Sequence, residues 1–512
     1  MKWLWPIALL LPLAACEAPR APNPIKSEGQ APPFIGSPAV AKPVAGEALP
    51  AHPHLAASGR SSMHNDGYAS DTYTVAGPLG RQLQVISRDG SLWPGGSCPV
   101  HTFDRAGRLV VLCANVFYFE LQLLEPRTLE LLARYRLPSR PSTFHALITL
   151  DPDKIMSDCS GAYFYLDEQD RVVIADARQR IQRIAHREVR PGEWAFEQTD
   201  VWDLSSAVPH DCVRPTNWLP EGECDPVTAV MPDHDGRIWW VTRRGRLGTL
   251  DPASRQVQAM QLAGEEIQNG FSVAADGVYV VSDHAMYRFE ADAHGAPQLG
   301  WREAYDRGSG RKTGSLNQGS GTTPTLMGER YVAITDNADG RINLLVYRRG
   351  QQDSVPRLIC RVPLFGENAS ATDNSPIGWG RSVVVENNHG YRNAFQQEDW
   401  DAVAGGIMRV DVREDESGCD PAWHSAERAP SVVQKLSAGN GLAYYYTYET
   451  LPDGENAWYL MALDFHTGRT VYKALAGVGR AFDNNWSPLS LGPDGAVYVG
   501  VFGGLVVFRD TN

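Results

Sequence analysis

Convincing helical periodicity is absent from all 512 residues, which leaves the all-β architectures as the fold class. Beyond the first 15 residues no segment is apolar enough to span a bilayer. Basic residues are in deficit, 47 against 60 acidic. The resulting net charge of −13 argues against nucleic acid and against an anionic membrane surface as partners. Catalytic signatures are missing as well. There is no Ser nucleophile elbow, no His-Glu-x-x-His pattern, and no cysteine spacing that suits a zinc site. The Gly- and Thr-rich run at 319–324 lacks the lysine and the following helix of a phosphate loop. What remains says more about architecture and address than about chemistry.

Address comes first. Met1-Lys2 precedes an apolar run from Trp3 to Leu13, then Ala14-Ala15-Cys16, the layout of a secretory signal. The motif resembles the lipobox of bacterial lipoproteins. That resemblance implies cleavage after residue 15, diacylation of Cys16 and anchoring to the cell envelope. Glu17 rather than Asp follows the cysteine, which favours the outer membrane, facing the periplasm. Residues 16–58 are rich in Pro and Ala with little periodicity, and are expected to form a flexible tether. Residues 59–512 show no second linker and form one domain.

Seven cysteines remain after Cys16. Cys98 and Cys113 flank a hairpin turn at Asp104 to Gly107. If Asp104 faces Gly107, the constant index sum of antiparallel partners sets Cys98 opposite Cys113. Cys212 and Cys224 bracket a Pro-containing loop, and Cys360 is free to pair with Cys419. Cys159 is left over as a thiol, without a basic neighbour in sequence to activate it.

The dominant signal is a repeat. A strand, an Asp/Gly turn and a strand of β-branched and aromatic residues recur at 103–113, 166–176, 232–242, 275–282, 327–335, 370–391, 440–447 and 493–500. Third and fourth strands follow several of them, about every 50 residues in all, as in a β-propeller. The fold expected is all-β, a single eight-bladed propeller, or seven-bladed if the weak hairpin at 440–447 is an insertion. The isolated strand at Gln82 to Ile86 would pair with Leu505 to Phe508 and close the ring.

Propeller geometry gathers the loops before the innermost strands, and those after the second strands, on one face. The tight Asp-Gly turns open on the other. The first face collects Asp158, Asp225, Asn269, Asp373, Asn374 and Asn484 from the leading loops. Asp176, Asp283, Asp336, Glu386, Asn387 and Asn388 arrive from the second strands. Oxygen-rich clusters of this kind suit a hard cation or a polar ligand. Asp and Asn are also common simply because they stabilise turns. The hairpin at 370–391 is the densest member. On this reading Glu386, Asn387 and Asp336 are candidate calcium ligands, with Asp373 and His389 as catalytic acid or base. Asn388, Asn484, Asn269 and His64 are candidate ligand-binding residues. His64 belongs to a segment at 59–68 that is unusually specific for a linker and is expected either to drape over a channel mouth or to cap the ring edge.

Leu463-Asp-Phe-His-Thr-Gly-Arg469 with Tyr472 resembles a blade motif of quinoprotein-like propellers, although Tyr472 replaces the usual Trp. Vicinal cysteines, common in pyrroloquinoline quinone dehydrogenases, are absent, and that cofactor is not implied. Residues 319–347 and 370–391 resemble an exported bacterial propeller family without an assigned activity. The acidic and amide mouth is similar to gluconolactonase and strictosidine-synthase-like propellers, whose resemblance implies a bound divalent cation. Two functions are therefore expected as alternatives. One is a metal-dependent hydrolase acting on a small polar molecule. The other is a non-enzymatic binding or scaffold lipoprotein with a protein partner.

Overall fold

One aspartate builds the turn of several repeating hairpins. In Asp104, Asp167 and Asp233 a carboxylate oxygen accepts from the backbone amides two and four residues ahead, at 2.9–3.0 Å. The residue three places on is left-handed, with φ 81° at Gly107 and 86° at Gly236; at Asp170 it is 61°. The arginine four places on then pairs with the same carboxylate, for example Arg108 with Asp104 at 2.7 Å.

These turns join antiparallel strands into eight sheets, and the protein is an eight-bladed β-propeller. The computed structural model describes residues 22–46, 49–92, 96–115, 118–138, 163–213, 224–350 and 355–511. Blades are numbered here in chain order by their innermost strands: Ser97–Phe103, Tyr165–Leu166, Val227–Pro232, Ser272–Ala274, Thr325–Met327, Ile377–Trp379, Lys435–Ser437 and Leu489–Leu491. The hairpin at 440–447 is a full member, since it heads blade 7. Second strands are buried almost throughout, as in Ile238–Thr242 and Tyr331–Thr335, because each is covered by a blade on either side. Leu83–Asp89 pairs with Gly504–Asp510 as the outer strand of blade 8, with Val85 opposite Phe508. The ring is thus closed by strands from both ends of the described chain, and no sheet edge is left at the joint.

Three disulfides join Cys98 to Cys113, Cys212 to Cys224, and Cys360 to Cys419. The register at the first differs from the simple index rule. Phe103 faces Leu109, one step from the expected sum, and a bulge between Ser97 and Val100 brings Cys98 back opposite Cys113. The third bridge links the outer strands of blades 5 and 6, Leu358–Pro363 and Cys419–Ser425. Cys16, Asp158 and Cys159 lie outside the described residues.

The structure departs from the sequence expectation between residues 22 and 58. In place of a free tether, the described part of this stretch is laid along the propeller. Phe34–Gly36 adds a strand to the outside of blade 7, with Phe34 opposite Ala474. Lys42 and Val44 donate to the carbonyls of Asn440 and Ala438, and the Trp379 indole donates to Ala45 O at 3.1 Å. His52 packs on His234 of blade 3, ring centroids 4.2 Å apart, and Ala56 donates to Leu166 O in blade 2. Pro and Ala carry no helical or strand pattern of their own. The propeller supplies the partners for their backbone.

Residues 59–73 then turn back inside the channel. The carbonyls of Ser61, Gly67, Tyr68, Ser70 and Asp71 accept from Leu166, Val273, Leu326, Gly378 and Leu436, at 2.6–2.9 Å. These donors sit on the inner strands of blades 2, 4, 5, 6 and 7. The segment therefore plugs the mouth that carries the tight turns. It neither drapes over the polar mouth nor stops at the ring edge.

Candidate functional site

The hairpin at 370–391 brings its two polar ends together, as its period requires. Asn374 Nδ2 donates to Glu386 Oε1, and Asn388 Nδ2 donates to the same oxygen at 3.1 Å. Asn388 Oδ1 accepts from Asp373 N at 2.6 Å and from Thr372 Oγ1 at 3.2 Å. Glu386 is fully buried, and burial pushes its carboxyl well above the usual range. Its Oε2 has no hydrogen-bond partner, while Oε1 holds two amides in place.

The residues assigned to calcium do not fit a cation. Among the described residues no three carboxylate, histidine or cysteine side chains are gathered as a metal site. Asn387 spends its amide locally, accepting from Ala371 N and His389 N and donating to Ala369 O and Gly405 O. Asp336 sits in blade 5, where it accepts from the backbone of Ala338 and Asn343 and from the Asn343 amide. The physical reason is the same in both cases: these side chains stitch loop backbone that would otherwise be buried without partners.

Asp373 and His389 are not coupled either, since no hydrogen bond joins their side chains. Asp373 Oδ2 accepts from Leu316 N, and burial raises its carboxyl to about 7. Its other oxygen lies against Gly321, where a Cβ would come within 1.8 Å of it. His389 is held below the ordinary imidazole range by burial and by the nearby Lys312. Asn269 and Asn484 tie inner-strand loops to Gly321 O and Gly500 O.

His64 lies in the plug, inside the channel, its ring 5.8 Å from that of Tyr163. Its Nδ1 is 3.1 Å from both oxygens of Asp71, and Asp71 pairs with Lys435. Both side chains of that ion pair are 0% exposed. The candidates read from sequence are therefore divided between the plug and the loops of four blades.

One site was not anticipated. Two long loops fold over the polar mouth: residues 305–319, leading into blade 5, and residues 387–406, between the second and third strands of blade 6. Gly390 N donates to Thr313 O, joining them. Tyr391 Oη donates to Asp483 Oδ1 at 2.8 Å, tying the second loop to blade 8. Between the loops lies a pocket of about 230 Å³, lined among others by Arg311, Lys312, Arg392, Asn393, Gln396 and Trp486. Three basic side chains line it and no acidic one does. Asn485 and Trp486 are consecutive left-handed residues at its edge, with φ 47° and 60°. The available sequence signals were Arg311-Lys312 in a Gly/Ser-rich loop and the length of the 387–406 insertion.

No family model matches the chain. An uncharacterised protein of Archaeoglobus fulgidus is 26% identical over 325 residues, covering 54% of this chain and 60% of that protein's own length. Among solved structures, BamB from Moraxella catarrhalis matches 66% of this chain and 93% of its own, at 13% identity and a TM-score of 0.37. Sqt1 of Chaetomium thermophilum, solved with the N-terminus of ribosomal protein L10, matches 78% of this chain and 92% of its own, at 11% identity and a TM-score of 0.43.

Proposed function

We propose that the protein is a lipid-anchored, extracytoplasmic binding protein whose propeller takes a small anionic ligand at its polar mouth. Cys16 carries the anchor, and the outer membrane is the address. The observation that carries the reading is the pocket lined by Arg311, Lys312 and Arg392 of two loops, beside Trp486. Guanidinium groups suit the planar, paired oxygens of carboxylates and phosphates, and an indole supplies an apolar face. A recognition role without chemistry accords with the rest of the mouth, where the candidate acids are committed to backbone and amides.

Isothermal titration with inorganic phosphate and with citrate tests the reading. One site per chain is expected for at least one anion, weakened tenfold or more by Arg392→Ala. The absence of binding by both anions refutes it.

A further inference from the structure

The first described residues of the chain are fixed beside the polar mouth. Asn23 O accepts from Asp89 N at 2.9 Å, and Ile25 N donates to Ser87 Oγ at 3.1 Å. The Ile25 side chain lies against Gly503. Gly503 and its neighbour Phe502 donate to Ala481 O and Asp483 O, each at 2.7 Å. The Phe502 ring meets Phe395 edge-on at 4.8 Å. Asp483 holds the Tyr391 loop, and Trp486, three residues on, lines the pocket. Thus the point where the chain enters the fold and the pocket share one rim.

Pro22 lies six positions beyond Cys16. Fully extended, six residues span at most about 20 Å. A tether running to residue 58 would have left the propeller free to present either face. The laid-down arm shortens the leash so that the polar mouth is the face nearest a lipid on Cys16. The plugged mouth is on the far side of the ring.

The loops of that rim have the side chains of a membrane-facing surface. Phe395 is 44% exposed, and Arg311 and Arg392 are exposed beside Trp486. Aromatic rings and arginines are at home at the level of lipid head groups. No acidic side chain lines the pocket itself. Asp401 at the far end of the second loop faces Arg428 at 3.9 Å, and Asp306, Asp336, Asp339 and Glu367 surround Lys312 without lining the cavity. With a net charge of −13, broad electrostatic adsorption is disfavoured.

Resting on the lipid-anchored binding reading above, we infer that the polar mouth faces the bilayer that holds Cys16, and that its pocket takes the phosphate of an anionic phospholipid head group.

Two measurements test this. In the first, full-length Cys16→Ser protein is sedimented with phosphatidylcholine vesicles with and without 30% phosphatidylglycerol. At least fivefold more protein should be bound with phosphatidylglycerol, and Arg311→Glu/Arg392→Glu should remove the difference while keeping the melting temperature. In the second, anchored protein in vesicles carries a fluorophore at Phe395→Cys or, as the turn-face control, at Glu168→Cys, both in a Cys159→Ser background. Brominated lipid should quench the label at 395 and spare that at 168. Quenching at 168 instead, or at neither, overturns the orientation. If inorganic phosphate binds the pocket but phosphatidylglycerol vesicles do not, the head-group assignment falls and the binding function stands. If no anion binds in any form, both fall. Should Cys16→Ser protein remain in the membrane fraction of cells, the anchor itself is refuted.

Discussion

Replacing Asp71 by Asn should be the most damaging single polar substitution in the plug. Lys435 Nζ is fully buried, with Asp71 and the carbonyl of Met63 at 2.8 Å as its partners. Thr72 and Tyr73 run parallel to Leu436 and Ser437, which fixes the carboxylate beside the ammonium. An asparagine keeps the size and removes the charge, leaving the ammonium to an amide. Breaking a buried pair from one side costs about 3–5 kcal/mol. At roughly 2.1 cal/mol/K of unfolding entropy per residue, a domain of this size unfolds with about 1 kcal/mol/K, and the melting temperature should fall by about 4 °C.

The double variant Asp71→Leu/Lys435→Met supplies the contrast. With both charges gone, no desolvated ion remains, and its stability should return to within about 2 kcal/mol of the parent. Thermal scans and guanidinium titrations of the parent, both single variants and the double variant close the cycle. If Asp71→Asn melts within about 1 °C of the parent, the pair is not buried as described, and the plug is not seated in the channel.

Further outcomes follow from the same geometry. Burial raises Asp483 to about 7, above its unfolded range. The native state therefore binds more protons than the unfolded state between about pH 4 and pH 7. Stability from this group is full below that window and is lost as pH rises through it, by on the order of 4 kcal/mol at most. The Asp483→Asn variant, which mimics the protonated acid, should gain on the parent in melting temperature from pH 5 to pH 8; a constant difference would refute this. Non-reducing peptide mapping should recover the three bridges with Cys159 as a thiol. Reduction of the bridges closing 15 and 59 residues should remove roughly 3 and 4 kcal/mol of stability by loop entropy. Gly321→Ala places a methyl group 1.8 Å from Asp373 Oδ1 and should lower the melting temperature; an unchanged melt would mean that Asp373 does not lie on the Gly321 backbone.

The propeller was legible because its turns are local. Asp104, Asp167 and Asp233 each bond amides within four residues, and that chemistry leaves a fixed motif in the sequence. The closing strand was legible for the opposite reason, as a strand with no hairpin of its own. The N-terminal arm was not. Its order comes from surfaces far along the chain: Trp379 holds Ala45, and Asn440 holds Lys42. Composition describes what a segment does alone, and this one is never alone in the fold. Arg311 and Arg392 are separated by 80 residues of sequence and meet because the loops of blades 5 and 6 bend over one mouth.

The polar mouth shows why counting Asp and Asn misjudges such a site. At the turn face these residues satisfy their own hairpins. At the polar face they satisfy loops from elsewhere: Asn388 reaches Pro430 O, Asn374 reaches Val432 O, and Asp225 takes the Arg244 amide and the Thr242 hydroxyl. In both places the oxygen-rich side chain answers a demand of buried backbone, because an unpaired amide or carbonyl there costs more than the side chain's desolvation. A ligand is recognised by what is left after that demand is met. In this mouth the remainder is basic and aromatic, Arg392 and Trp486 at the pocket edge, and its sign is opposite to that of the carboxylates that first draw the eye. The acids build the rim, and the pocket between its two loops is lined by basic and aromatic side chains.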